Sequence, residues 1–591
     1  MTEREDPDGL DERAGGEAPE GAGQADRGEA PGAGPGITRR AVLGGALAAG
    51  AGWLAGCQRS SGGRRTTLER FRRLPGTLSG TSSERGHRIR SGALRALKRP
   101  AVEQRRTDVL IVGAGAAGLS AAWRLARSGM TNYAVIELED VVGGTARSDA
   151  NSTSAFPWGA HYLPTPPREA GALRTMLEEF GVITGHDESG EPIYRPSMLC
   201  AAPVERLHEA GFWTKGLWPS ARADARDQAQ FRRFRELCEQ WSARRGADGR
   251  PGFTLPTAYG SSDPVFVELD RLSAREWLDQ EQLHSERLRW YVEYGARDDY
   301  GGTIENVSAW AMVHYHMARD RQAHEAILTW PEGNGYLIRR LAQRSAGRLH
   351  CGQLAAEVRL SGAPEAGADR VVAKVWDANR DRLIEWRARE LIFAAPKFLI
   401  PYVFPDLRDR AAALSRFTWS AWLVAAITLR KPPGGAGEPL AWDNVFFESP
   451  SLGYVVANRP GIGEAPERPT VVTWYLPFVG DDTAAARQEL LTRSREHWLG
   501  VLGEDLAAVH PTLIDDIERV DLFRWGHAMI RPTPGFHFGA ERRAALEPAP
   551  GLHFAGTDTS SMALFEEAHD SGVRAAEACL RALGRPFKTL L

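Results

Sequence analysis

The segment from Thr107 to Arg147, TDVLIVGAGAAGLSAAWRLARSGMTNYAVIELEDVVGGTAR, constrains the fold more than any other part of the chain. An apolar run, Val109 to Val112, enters a glycine turn with Gly113, Gly115 and Gly118 at the spacing G-x-G-x-x-G. An alanine-rich helical stretch opens at Ala116 and Ala117, and a second apolar run, Tyr133 to Ile136, ends in Glu137 and Leu138. Strand, turn, helix, strand and acid in this order make the βαβ unit of a dinucleotide site. Gly113 permits the tight turn, Gly115 lets backbone approach a pyrophosphate, and Gly118 lets the helix pack closely. The helix N-terminus offers free N–H groups and partial positive charge to the phosphates. Glu137 is placed to accept hydrogen bonds from a ribose diol. The fold class expected is α/β, with a Rossmann-type domain.

The end of the segment selects the cofactor. Gly143-Gly144-Thr145-Ala146-Arg147 resembles the GG-x-x-R signature of flavoproteins that bind FAD, where it makes a second diphosphate and flavin contact. NAD enzymes generally lack it, so the expected cofactor is FAD, held non-covalently.

The chain has 591 residues, long enough for more than one domain, and a net charge of −3 from 73 basic and 76 acidic residues. That balance offers no general attraction for nucleic acid. The ends are less even. Residues 1–36 are acidic, rich in Gly, Ala and Pro, and too poor in large apolar groups to fold. Residues 37–57 read as an export signal, with the pair Arg39-Arg40, a short glycine-rich apolar run, and Leu54-Ala55-Gly56-Cys57, which resembles a lipobox. The run is too short for a comfortable membrane span. These features predict export by the twin-arginine machinery to the cell envelope or periplasm, with a lipid on Cys57 anchoring the protein to a membrane. Because that route resembles one used for folded proteins, FAD would be loaded first. Residues 58–106 are basic and read as a linker. Leu68, Phe71, Leu74, Leu94 and Leu97 are candidate anchors to the globular body, and the arginines are an alternative contact to anionic lipid. The other cysteines, Cys200, Cys238, Cys351 and Cys579, are widely spaced and predict buried thiols, with neither a redox pair nor a metal site.

Helical periodicity marks Phe231 to Trp241, Ala274 to Leu278, Val307 to Met317, Tyr336 to Arg344, Ala485 to Leu499 and Phe565 to Leu583. Strand-like runs occupy Glu357 to Leu360, Arg370 to Trp376, Leu383 to Arg387, Trp422 to Leu429, Gly453 to Ala457 and Val471 to Leu476. A separate buried strand, Glu390 to Ala395, is stopped by Pro396.

Three blocks together resemble the flavin-containing amine oxidoreductases, the group of monoamine oxidase, polyamine oxidase and L-amino-acid oxidase. The first is the opening segment with its extension Phe156-Pro157-Trp158-Gly159-Ala160-His161. The second is the middle stretch 331–398. The third is Phe554-Ala555-Gly556-Thr557-Asp558-Thr559 with Glu566-Glu567-Ala568-His569-Asp570-Ser571-Gly572. The resemblance implies a glutathione-reductase-like FAD domain built from residues 107–169, 326–403 and 540–591. It also implies a mixed-sheet α+β substrate domain from 170–325 and 404–539. It assigns Gly159, Ala160, His161, Ala355, Gly556, Asp558, Phe565 and Ala568 to the FAD site beside Gly113, Gly115, Ala116, Ala117, Gly118, Glu137, Leu138, Gly143, Gly144, Thr145 and Arg147. Such enzymes pass a hydride from an organic substrate to flavin N5, and the electrons go on to oxygen or another acceptor.

The chain departs from that pattern where the chemistry lies. The strand position that carries an active-site Lys in many members falls at Ala425, and the aromatic pair that flanks the amine falls at Ala528 and Leu564. The cysteine that bonds FAD in monoamine oxidase falls at His527. Candidate catalytic residues are His527 as base, donor or attachment point, its neighbour Trp525, and Arg531 as a partner for a substrate carboxylate. Asp298-Asp299 can recognise an amine, although loop capping is the commoner use of such a pair. His314 and His316 lie two apart on a helix and cannot share a metal, but one can face the cavity. Glu566 and Glu567 read as dipole partners of the last helix. Trp330, Trp419, Trp422 and Trp525 are candidates for an aromatic wall. The leading substrate class is an amine or polyamine. A desaturase- or isomerase-like enzyme for an apolar substrate, or a non-catalytic redox partner in the envelope, are the alternatives.

Overall fold

The computed structural model describes residues 61–94, 100–319, 327–361, 367–457 and 468–591. The acidic tail, the twin-arginine pair, Cys57 and Leu97 lie outside the described residues.

Two large mixed sheets organise the chain. In the seven-stranded sheet, Leu349–Cys351, Tyr133–Glu137, Glu103–Val112 and Arg382–Phe393 run parallel and adjacent. The apolar run Val109 to Val112 is almost fully buried, as a parallel strand covered on both faces must be. Residues 382–393 form one strand rather than the two runs expected. Its first half pairs antiparallel with Val371–Asp377, and its last three residues pair parallel with Leu552–Phe554. Two different partners on one edge explain why the sequence looks interrupted there. Helix Phe565–Ala582 then lies against helix Ala116–Arg127. A Cβ on Gly572 would sit 2.2 Å from the Ala117 carbonyl oxygen, so only glycine allows this approach.

The eight-stranded sheet runs in the order Leu78–Gly80, Ile517–Ile530, Trp419–Leu429, Thr470–Phe478, Tyr454–Val456, Asp443–Phe446, Glu205–Glu209, Phe212–Lys215. Strand Trp419–Leu429 is buried throughout. Ala421, Leu423, Ala425 and Ile427 face one core, and Trp422, Val424 and Ala426 face another, as a two-residue period requires. The helix expected over Ala485 to Leu499 is two helices, Thr483–Thr492 and Arg495–Val509. Ser494 caps the second by accepting a hydrogen bond from the His497 N–H. A helical layer comprises Ala225–Ala243, Pro264–Arg271, Ala274–Gln280, Glu286–Tyr300 and Ala309–His314. Capping boxes at Asp224 and Ser273 start two of these helices. The periodicity at Val307 to Met317 resolves into a short α-helix and a wider π turn, Tyr315–Arg319.

The segment read as a basic linker is structured over much of its length. It contributes strand Leu78–Gly80 to the eight-stranded sheet and the first residues of strand Glu103–Val112 to the other. Phe71 and Leu94 are buried, and Leu68 and Leu74 are half-buried. No helix among the described residues is long and apolar enough to cross a membrane.

Candidate functional site

The phosphate turn is built from contacts that side chains would block. Gly113 has φ +103°, and a Cβ on Gly118 would lie 1.9 Å from the Gly113 carbonyl oxygen. Gly115 and Gly143 form a parallel bridge, with the Gly143 N–H donating to the Ala114 carbonyl at 2.8 Å. The G-x-G-x-x-G turn and the GG-x-x-R turn therefore run side by side. A Cβ on Gly115 would meet Gly144 Cα at 3.8 Å, an ordinary contact, so the second glycine turn lies directly against this one. Helix Ala116–Arg127 begins at Gly115 without a side-chain cap, so its first N–H groups are available to an anion. Glu137 accepts hydrogen bonds from the Ala114 and Glu139 N–H groups at 2.6 and 3.0 Å, and burial pushes its carboxyl above the usual range.

The 158–161 loop closes the other side of this turn. The Trp158 N–H donates to the Arg147 carbonyl and the Ala160 N–H to the Thr145 carbonyl. Arg147 lies 4.9 Å over the Phe523 ring, and its buried Nε has no hydrogen-bond partner among the described residues. At the C-terminal block, Asp558 turns inward and accepts from the Lys397 N–H (2.9 Å) and Trp419 Nε1 (3.0 Å). The Lys397 ammonium is buried and donates to the Ala395 and Ala555 carbonyls. Burial lowers it to about 8. Two glycine turns, an uncapped helix N-terminus, a placed carboxylate and an orphaned guanidinium donor fit a dinucleotide diphosphate. Gly113, Gly115, Gly118, Gly143, Gly144 and Arg147 would hold the diphosphate, and Glu137 the ribose.

A narrow cavity of about 70 Å³ opens beside His161. Helix Glu286–Tyr300 sets Tyr294 and Asp298 one turn apart on its cavity face. Tyr315 comes from the π turn. It reaches the wall because Gly295 has no side chain, where a Cβ would meet its ring at 2.7 Å. Strands Glu205–Glu209 and Asp443–Phe446 pair in parallel with Asp443 directly opposite Glu205. Three carboxylates, Glu205, Asp298 and Asp443, thus line one cavity with His161, Tyr162, Tyr294, Tyr315 and Trp442. Like charges opposite each other across a strand pair destabilise a sheet. Tyr294 Oη donates to Asp443 Oδ2 at 3.2 Å. Burial, then the Asp298 and Glu205 charges, hold the Asp443 carboxyl well above its usual range. Burial, then Asp443 and Asp298, push the phenols of Tyr294 and Tyr475 up. Tyr475 Oη donates to the Gly159 carbonyl at 3.1 Å, tying this wall to the loop beside Arg147.

The family model of flavin containing amine oxidoreductases matches residues 116–580. The chain belongs to this family. It is an FAD-dependent oxidoreductase with a small-molecule substrate and an electron acceptor. Among solved structures, a redesigned putrescine oxidase is 18% identical, with a TM-score of 0.59 over 81% of this chain and 100% of that one. The cyclohexylamine oxidase from Brevibacterium oxydans is 17% identical, with a TM-score of 0.58 over 82% and 100% of the two chains. A fatty acid isomerase from P. acnes is 15% identical, with a TM-score of 0.58 over 80% and 98%. No curated protein sequence matches the chain.

Set in this flavoenzyme fold, several expected roles change. Arg531 is buried, and its guanidinium donates to Ser420 Oγ and to the carbonyls of Gly301, Gly480 and Phe478. It clamps strand ends and is not available to a substrate carboxylate. Trp525 donates from Nε1 to the Trp158 carbonyl. It braces the 158–161 loop from behind. His527 packs on Phe398 with ring centroids 4.3 Å apart, and burial followed by Arg487, Arg90 and His87 lowers it to about 3, so the ring is neutral. None of these three lines the acidic cavity.

Glu566 and Glu567 lie in the first turn of the last helix, as dipole partners do, and are buried. Glu567 accepts from the Thr257 N–H and Oγ1, and burial raises it to about 7. His314 is satisfied by the Thr254 carbonyl and His316 stacks on Tyr291, while Tyr315 between them reaches the cavity. Cys238 and Cys579 are buried, but Cys200 and Cys351 are half-exposed, Cys351 because it ends the edge strand Leu349–Cys351. None of Trp330, Trp419, Trp422 and Trp525 walls the cavity. Trp442 does, together with Tyr162, Tyr294 and Tyr315. Of the carboxylates, only Asp298 was a candidate from sequence. The signal for the other two was a lone acid opening each of two strands, which becomes informative only once the strands are paired.

Proposed function

We propose that this flavoenzyme oxidises an amine or polyamine taken up as a cation, in the cell envelope, with non-covalently held FAD. The observation that carries the reading is the cavity in which Glu205, Asp298 and Asp443 converge among aromatic rings. Carboxylates and aromatic faces both favour an alkylammonium over a neutral or anionic substrate. A strand pair that sets Asp443 against Glu205 is costly alone and is relieved by a bound cation. The names of two similar structures, a putrescine oxidase and a cyclohexylamine oxidase, point the same way.

When bound, FAD supplies a hydride acceptor and hands the electrons to oxygen or another acceptor. The chain's own residues do the positioning. Asp298 and Asp443 hold an ammonium, Tyr294, Tyr315 and Trp442 exclude water around its carbon chain, and the Tyr475–Gly159 bond fixes this pocket against the 158–161 loop. Reduction of the bound flavin without oxygen, followed by loss of the oxidised flavin's visible absorbance, tests the reading against amines, diamines, amino acids and polyenes. Bleaching by diamines or primary amines is expected. Net bleaching by polyenes or fatty acids alone would sink it and favour the desaturase reading, and rearrangement of such a substrate without net bleaching would favour the isomerase reading; Ala425, Ala528 and Leu564 support both alternatives.

The envelope location rests on Arg39-Arg40 and the Leu54 to Cys57 stretch. Cys57→Ser is expected to remove lipid labelling and membrane pelleting, and Arg39→Lys with Arg40→Lys to retain the protein in the cytosol. A native protein that keeps residue 1 and fractionates as cytosolic would overturn this location.

A further inference from the structure

The stretch 75–94 ties the two sheets together at one end of the FAD cradle. Its strand Leu78–Gly80 adds to the edge of the eight-stranded sheet in parallel with Leu522, Phe523 and Arg524. Gly76 makes the approach possible, since a Cβ there would lie 1.9 Å from the Val520 carbonyl oxygen. Thr77 then anchors to Asp521 through its N–H and Oγ1, at 2.9 and 2.8 Å. The chain next crosses to the seven-stranded sheet. There Ser82 gives both its N–H and its hydroxyl to the Glu139 carboxylate, at 2.8 and 2.9 Å. Arg85 makes a bidentate pair with Asp140, both bonds 3.0 Å, and donates to the Leu138 carbonyl and to Asn379. Glu139 in turn donates its N–H to Glu137, the carboxylate placed for the ribose. Helix Ser83–Arg90 continues over this end, burying Ile89 in the same cluster as Ile136, Leu354 and Ala355.

We propose that residues 75–94 form a strap across the adenosine end of the FAD site, latched by Ser82 and Arg85, and that FAD leaves only when the strap opens. Both latch residues bind the segment 138–140 that directly follows the ribose carboxylate, and both strap ends are fixed, one in a sheet and one in a core. A surface tether would need neither the paired strand nor the bidentate arginine. By linkage, a strap whose closed state also binds FAD more tightly is itself held closed by FAD.

The test uses the holoenzyme. FAD release is followed by the fluorescence of free FAD after dilution, and strap opening by trypsin cleavage after Arg88 and Arg90, sites that the natural chain and the variants share. Loss of the latch bonds in Ser82→Ala/Arg85→Ala is expected to speed release about tenfold or more. Trypsin is expected to cut the variant faster, and added FAD to slow the cutting of the natural chain. Asn379→Ala, which removes one of the Arg85 contacts, is expected to shift both readings the same way by less. Arg70→Ala, which breaks the exposed Arg70–Asp515 pair outside the strap, is the control and is expected to leave release unchanged. Release at the natural rate from Ser82→Ala/Arg85→Ala overturns the proposal, whatever trypsin does. So does equal acceleration by Arg70→Ala. Denaturation is expected to free the remaining FAD completely, as a non-covalent cofactor requires.

Discussion

Replacing Asp443 by Asn is expected to raise the amine KM by roughly thirtyfold to a few thousandfold, since truncating one partner of a buried charge pair costs about 2–5 kcal/mol. Asp298→Asn is expected to act in the same direction. Neither residue touches the glycine turns, so flavin content and spectrum stay unchanged. The substitution is also expected to raise Tm in the absence of substrate. The carboxyl of Asp443 sits well above its usual range in the folded protein because burial and two neighbouring carboxylates oppose its charge. A group so placed is ionised in the unfolded chain before it is ionised in the folded one. Its cost to stability is therefore absent below the ordinary carboxylate pKa, about 4, and grows as pH rises toward the folded value. Thermal melts across that interval check the sign: the gain from Asn should be small at low pH and larger near neutrality. A variant that loses both affinity and stability would mean that Asp443 is a structural group and that the cavity is not a cation site.

Gly118→Ala is expected to yield protein without flavin. The added methyl carbon would lie 1.9 Å from the Gly113 carbonyl oxygen and 3.4 Å from the Ala394 Cβ, with backbone on one side and a strand end on the other. Something must move, and the atom in the way belongs to the phosphate turn itself. Overpacking of this kind costs typically about 1–3 kcal/mol, and here the displacement falls on the surface that meets the diphosphate. FAD content per chain, read from the ratio of flavin to protein absorbance, should fall at least about tenfold. Gly434→Ala, where a Cβ meets nothing within 4 Å, is the matched control and should retain its flavin. Full flavin content in Gly118→Ala would show that this turn does not carry the cofactor.

The cofactor half of the molecule was readable because its chemistry is local. Strand, glycine turn, helix and acid occupy one stretch of about forty residues, and each glycine has a steric reason that sequence spacing alone expresses. The substrate half was not readable because its chemistry is assembled across the chain. Glu205 and Asp443 are 238 positions apart and become neighbours only through strand register. Tyr315 reaches the cavity through a π turn and an opposing Gly295, neither of which leaves a periodic signature. Arg531 shows the converse. A conspicuous arginine beside a histidine suggested ligand binding, yet its hydrogen-bonding capacity is spent on backbone carbonyls that no sequence pattern marks. The 58–106 stretch was legible in part. Phe71 and Leu94, two of the apolar anchors expected, are buried in the body, whereas Arg85, among the arginines offered as a contact to anionic lipid, pairs with Asp140 instead.

The contact between Gly572 and Ala117 has a consequence for how the protein is made. The phosphate turn at Gly113 to Gly118 is synthesised long before the helix Phe565–Ala582 that buttresses it. The strand Leu552–Phe554 that completes its sheet emerges only slightly earlier. A nascent chain is therefore expected to grip its flavin only once the segment 552–582 has emerged. A product cut short before residue 565 is expected to be colourless, and flavin colour in the cell becomes a report of chains that reach this helix.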